Sequence, residues 1–284
     1  GEGDGAAAGE GSAFDRDTRA AAVAVADVAR GLEGGAAAGD RLVAFVGKLI
    51  VSKGIDLLVA AWPLVLAREP RARLVVVGFG AYRAGVERLI AALADGDGDA
   101  LDALVAAGRA QEGGPRAPLA LLRGFLDGLD AGQRASYLSA AAGLRERIVL
   151  TGRLDHEELA DLLPACEALV VPSTFPEAFG MVAAEGAACG ALPVCAEHSG
   201  LAEVAGALAE AVPEPARPWL AFPLGEGAGG DPVVAIAERV VAWLVAPDEL
   251  RERTRAALVE TVRERWSWEG VARGVVAAAA GDFT

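Results

Sequence analysis

Three short runs in this 284-residue chain are apolar at every position: LVAFV at 42–46, LVVV at 74–77 and ALVV at 168–171. Successive side chains of a strand face opposite sides of its sheet, so a run with no polar alternate must be covered on both faces. That demands helices above and below a parallel sheet. The stretches between the runs carry helical patterning, and the alternation predicts βαβ units. Strands are expected at about 41–47, 73–78, 147–151, 168–172, 192–196 and 219–224. Helices are expected near 53–68, 81–94, 156–166, 180–189, 200–212 and 231–246. The fold class is α/β, a doubly wound, Rossmann-like parallel sheet. An apolar fraction of 53% with only 5% aromatics suits helices on such a sheet better than an all-β design.

Residues 1 to about 13, GEGDGAAAGEGSA, are expected to be a flexible tail, because the composition offers little to bury against the entropy of ordering. Phe14–Arg30 has helical potential and precedes a loose run, Gly31–Gly39. Residues 1–39 thus read as tail and linker helix, and 40–284 as one domain. Position 1 is not methionine, so the chain is expected to be a piece of a longer polypeptide. Between the second and third strands, breaks at Asp95–Asp99 and Gly113–Pro118 predict an insertion of two or three helices over about 84–146. The C-terminal helices carry Trp243, Trp266 and Trp268, read as packing groups.

A net charge of −14 argues against nucleic acid and anionic membranes, which need a basic face. An anionic ligand must therefore be met locally. Cys166, Cys189 and Cys195 are odd in number, form no CxxC pair and sit among apolar neighbours, so they read as reduced core residues. His156 and His198 are the only histidines, and no metal-binding or nucleophile-elbow motif occurs. Neither a metal nor a cofactor is expected. With no membrane-length apolar run and an acidic N-terminus, the expected location is the cytoplasm.

In a doubly wound sheet the ligand lies at the carboxyl ends of the strands. The first such loop, GKLIVSKG at 47–54, brings Lys48 and Lys53 near a helix start, where ammonium groups and free amides can converge on a diphosphate. Alone, the pair reads equally well as two solvated loop lysines. The second, VVVGFGAYR at 75–83, has Gly78 and Gly80 but Arg83 where a dinucleotide fingerprint needs glycine, so its glycines are read as a tight turn leaving room for a ligand. The third, PSTFPEAFGMVAAEGAACG at 172–190, is the most informative. Pro176 stiffens the loop ahead of Glu177, Phe179, Gly180 and Met181 open a helix whose amides can receive an anion, and Glu185 follows in that helix. The two carboxylates are expected to face one cleft and accept hydrogen bonds from sugar and ribose hydroxyls. The fourth, AEHSGLAEV at 196–204, offers Ser199 at another helix start, while His198 is equally an exposed loop residue. In TGRLDHEEL at 151–159, Asp155 and Glu158 form a capping box, and Arg153 and Leu154 are candidates to line a base pocket.

In order and spacing, FVGKLIVSKGIDLL, LVVVGFG, RIVLTGRLDHEELADLLPACEALVVPS, PEAFGMVAAEGAACGALPV and SGLAEV resemble the C-terminal, donor-binding domain of retaining GT-B glycosyltransferases of the large group 1 family, over about 40–284. The resemblance implies roles residue by residue. Lys53, with Lys48 where an arginine is usual, would meet the donor diphosphate. Glu177 would contact the transferred sugar as the catalytic candidate, with Phe179, Gly180 and Met181 against sugar and phosphate. Ser199 would assist the phosphate, Glu185 would bind ribose, and Arg153 and Leu154 would neighbour the base. Ala178, Gly186 and the Ser199-Gly200 pair depart from the common proline, alanine and Gly-Gly, and the insertion is longer than usual. The implied activity is transfer of a hexose from a nucleotide diphosphate sugar with retention, and the donor is a substrate rather than a cofactor. The acceptor would be held by an N-terminal domain that this chain lacks, so the chain is expected to be an incomplete enzyme. Two alternatives stand beside this reading: a non-catalytic nucleotide-binding module and, more weakly, a nucleotide-sugar epimerase.

Overall fold

The computed structural model describes residues 39–224 and 230–281. The tail and linker helix expected over 1–38 lie outside them. Six strands form one parallel sheet: β1 (Arg41–Val46), β2 (Ala72–Val77), β3 (Ile148–Gly152), β4 (Ala168–Val171), β5 (Leu192–Ala196) and β6 (Ala221–Phe222), in the order β3-β2-β1-β4-β5-β6. The chain moves outward from β1 to β3 and then returns to place β4 on the other side of β1. That reversal opens a crevice at the carboxyl ends of β1 and β4, where a doubly wound sheet binds its ligands.

The uniformly apolar strands are covered on both faces. Val43, Phe45, Leu74, Val76 and Val170 enter one core cluster, and their alternates Leu42, Ala44, Val75, Val77 and Leu169 enter a second. The sixth strand is shorter than expected, two residues in place of 219–224. Glu214–Trp219 form a 3₁₀ turn instead, in which Pro215 and Pro218 have no N–H to offer a strand ladder.

The helices are α1 (Ile55–Leu66), α2 (Arg83–Ala94), α3 (Gly98–Ala107), α4 (Ala120–Asp127), α5 (Ala131–Ala140), α6 (Leu144–Arg147), α7 (His156–Leu162), α8 (Met181–Ala188), α9 (Ser199–Ala211), α10 (Pro232–Leu244), α11 (Asp248–Trp266) and α12 (Trp268–Ala279). The expected capping box closes the start of α7, with the Asp155 side chain accepting from Glu158 N and Glu158 from Asp155 N. The α7 helix gives way to a 3₁₀ turn at Leu163–Ala165, which contains Pro164. The segment between α2 and β3 folds as α3 to α6 and rests on α1, where the Tyr137 hydroxyl donates to Ala60 O at 2.7 Å. Phe125 meets the Tyr137 ring edge-on at 5.1 Å.

The three C-terminal tryptophans have different surroundings. Trp243 is fully buried and donates to Glu167 O at 2.7 Å, so its loss should cost about 3–5 kcal/mol. Trp266 packs edge-on against Phe179 at 5.7 Å. Trp268, read from the sequence as a packing group, is 91% exposed. Its helix has no buried residue among those described, and Val271, Val275 and Val276 are exposed with it. The three cysteines are free thiols, and burial pushes Cys166 and Cys195 up to about 12, which keeps them protonated and unreactive. No helix among the described residues is long and apolar enough to cross a membrane.

Candidate functional site

The β1–α1 loop and the β4–α8 loop lie side by side at the crevice. The first closes with a 3₁₀ turn, Val51–Lys53, followed by Gly54 at φ +68. A side chain at Gly54 would start 1.9 Å from Pro172 O, so only glycine lets the two loops touch here. Ser52 O then accepts from Thr174 N at 2.9 Å and from the Thr174 hydroxyl at 3.3 Å, fastening one loop to the other. Gly78 and Gly80 serve the same packing. A Cβ at either would stand about 2 Å from Gly47 O or Leu49 O, so the space they leave is filled by the β1–α1 loop rather than by a ligand.

These contacts bring Lys53 onto Glu177. The ammonium hydrogen-bonds to Glu177 Oε1, and the Ser173 hydroxyl donates to the same oxygen at 2.7 Å. Burial pushes the Glu177 carboxyl up, but the hydrogen bonds from Lys53 and Ser173 and the nearby Lys53 and His198 outweigh it, so the acid is held below its ordinary value and ionised at neutral pH. The backbone around it is equally constrained. Glu177 N donates to the Ser199 hydroxyl at 2.9 Å, and Glu177 O accepts from Gly200 N at 3.0 Å. Ser199 sits at φ +49, the single non-glycine residue with positive φ among those described. His198 joins Ser199 Oγ at 3.0 Å through Nδ1 and Ser173 O at 2.7 Å through Nε2. A carbonyl can only accept, so Nε2 carries the proton of that bond.

The cleft has a volume of about 540 Å³, and Lys48, Lys53, Glu177, Phe179, Gly180 and Met181 are among its lining residues. At its edge α8 begins at Met181 with Gly180 as N-cap and no side-chain cap, leaving first-turn amides to an anion. Phe175 and Met181, 67% and 62% exposed, give the cleft an apolar rim. Ser199 stands one hydrogen bond behind it.

Glu185, Arg153 and Leu154 are not in this cleft. Glu185 is carried by the next turn of α8 and lines a second depression of about 200 Å³ with His156, Leu159, Ala160, Leu163, Ala188 and Cys189. Arg153 is exposed at the end of β3. Leu154 is 6% exposed and packs with Leu162, Leu163 and Cys166 in the smaller core cluster, which leaves it little surface for a ligand. The two expected carboxylates therefore flank α8 in separate depressions. Sequence reasoning did not single out Ser173, whose signal was its place just past β4, nor the bracket that His198 makes between Ser173 and Ser199.

The glycosyl transferases group 1 family model matches residues 124–214, which include Glu177, Glu185 and Ser199 but not Lys48 or Lys53. An uncharacterized glycosyltransferase of Methanocaldococcus jannaschii is 26% identical over 165 residues, 58% of this chain and 29% of that protein. The phosphatidylinositol N-acetylglucosaminyltransferase gpi3 subunit of Schizosaccharomyces pombe is 23% identical over 162 residues, 57% and 25% of the two chains. The matched part thus spans under a third of either relative's length. Among solved structures, Anabaena HepE in complex with UDP and glucose superposes with a TM-score of 0.54 at 16% identity, over 91% of this chain and 52% of HepE. That likeness is one of fold alone. Residues 124–214 thus resemble the glycosyl transferases group 1 family, and the parallel sheet has the Rossmann-like fold of the GT-B glycosyltransferase neighbours.

Proposed function

We propose that this domain holds the donor of a retaining hexosyltransferase, a nucleotide diphosphate sugar, and that a second, N-terminal domain supplies the acceptor site. The observation that carries the reading is the Lys53–Glu177 pair at the crevice beside the start of α8. A diphosphate there meets two ammonium groups and a helix N-terminus, whose positive end favours anions. It competes with Glu177 for Lys53, and the freed carboxylate becomes an acceptor for sugar hydroxyls. Lys48, Lys53 and the amides then face the charge that grows on the departing diphosphate, a stabilisation strongest in the transition state. The framed pair of Glu177 and Glu185 supports the family's retaining chemistry. The α8 helix between them suits a ligand with phosphates at its N-terminus, ribose beside Glu185, and a base at the depression lined by His156 and Leu159. HepE was solved with UDP and glucose, which makes UDP the first nucleotide to try.

One cleft wall leaves the acceptor unplaced, and transfer needs that hydroxyl oriented with water excluded. The chain alone should show at most slow donor hydrolysis, and transfer should appear when it is joined to its acceptor-binding domain. NMR of the product from the joined enzyme tests both parts of the proposal. Retained anomeric configuration is expected, whereas an inverted product, or robust transfer by this chain alone, would overturn it.

A further inference from the structure

One side chain of the helical insertion reaches the β1–α1 loop that borders the cleft. The segment after α3 turns back at Gly108, where a Cβ would lie 1.8 Å from Ala117 O, and Arg109 N donates to that same carbonyl at 2.9 Å. This close turn forms a 3₁₀ helix, Arg109–Glu112. Gln111 fixes it on one side by donating to Leu104 O at 2.9 Å. At its end the Glu112 side chain is 9% exposed and takes Arg109 Nε at 3.1 Å on one oxygen. Its other oxygen accepts from Val51 N at 2.8 Å, sixty-one residues away in sequence. Val51 opens the 3₁₀ turn that ends in Lys53, and the first amides of such a turn have no partner within it. The turn is therefore held from two sides. Thr174 binds Ser52 O from the β4 side, and Glu112 binds Val51 N from the insertion.

We infer that Glu112 is a positioning residue of the donor site: its carboxylate holds the Val51–Lys53 turn so that the Lys53 ammonium faces the cleft, making the insertion a working part of diphosphate binding. This rests on the proposed donor site and adds to it a residue outside the cleft. Asp56, in the first turn of α1, is fully buried with Oδ1 unpartnered, and burial, with a smaller push from the Glu112 charge, raises its carboxyl to about 7. Without Glu112, Val51 N loses its one acceptor among the described side chains.

The full-length chain tests this by calorimetry with UDP and with inorganic pyrophosphate, alongside hydrogen exchange at the Val51 amide. Glu112→Ala should weaken both ligands about tenfold, the scale of losing a hydrogen bond to a charged group. Glu112→Gln keeps an acceptor oxygen and should restore affinity to within about threefold of wild type, a rescue that mere loss of folding would not show. In a Lys53→Ala background Glu112→Ala should have no further effect, because the residue acts through Lys53. Wild-type affinity in Glu112→Ala, or an equal loss with and without Lys53, would overturn the inference. If wild type binds neither ligand, the donor reading fails by itself. The positioning claim is then decided at the Val51 amide, which should be protected in wild type and Glu112→Gln and exchange fast in Glu112→Ala; equal protection in all three would overturn it.

Discussion

Glu177 and Glu185 lie eight residues apart and share a side chain, yet the two ends of their segment are built differently. Glu177 stands before α8 in a loop held by contacts from two others, Lys53 of the β1–α1 loop and Ser199 and Gly200 at the start of α9, and by Ser173 of its own loop. Glu185 is placed by helix geometry alone, and its carboxylate makes no hydrogen bond or ion pair among the described residues. A group so heavily held fits the role proposed for Glu177, beside a centre whose charge changes during reaction. A group held only by its helix suits a passive contact such as ribose. The difference teaches that the spacing of two carboxylates says less about their roles than the loops that converge on each.

The sharpest way to break this comparison is to change Glu177 with its shape kept. In an enzyme joining this domain to its acceptor-binding domain, Glu177→Gln should lower kcat about a hundredfold, the scale of removing one preorganised transition-state contact, and raise KM for donor far less. Steady-state kinetics with a varied donor checks this; a change confined to KM would reduce Glu177 to a binding contact. Glu185→Ala should weaken UDP about tenfold and leave inorganic pyrophosphate unchanged, since the side chain lies past the phosphate-binding amides. Parallel titrations decide it, and equal loss of both ligands would remove the ribose role.

The sheet was legible because strands buried on both faces have no polar alternates, and its parallel pairing followed from alternation with helices. Lys53, Glu177 and the start of α8 were legible because their loops sit at strand ends. What escaped depended on contacts distant in sequence. The hydrogen bond of Glu112 to Val51 joins an insertion to a loop sixty-one residues away, and no local pattern announces it. Gly78 and Gly80 look like a ligand-binding turn, but only folding shows that the carbonyls of Gly47 and Leu49 occupy the space. Leu154 fits a base pocket by position and a core by burial, and burial prevailed.

Smaller effects sharpen the picture. Ser199→Ala removes the acceptor for Glu177 N and should weaken UDP about threefold, near the net worth of one neutral hydrogen bond; an unchanged affinity would show that Gly200 alone holds the loop. The Glu177 carboxyl also carries a pH signature. Its folded value lies below the ordinary 4.5, so the stability it contributes is present above about 4.5 and lost as pH falls through the lower folded value. Thermal melts of wild type and Glu177→Gln should therefore converge in acid and separate toward neutral pH, and a constant gap would contradict the ionised pair.

If a diphosphate takes Lys53 from Glu177, calorimetric titration of UDP into the chain and into Lys53→Ala at one salt concentration shows it. Wild type should bind measurably and the variant should lose about 1–3 kcal/mol, the range for removing a charged hydrogen-bond donor. Equal affinity of the two proteins would contradict it.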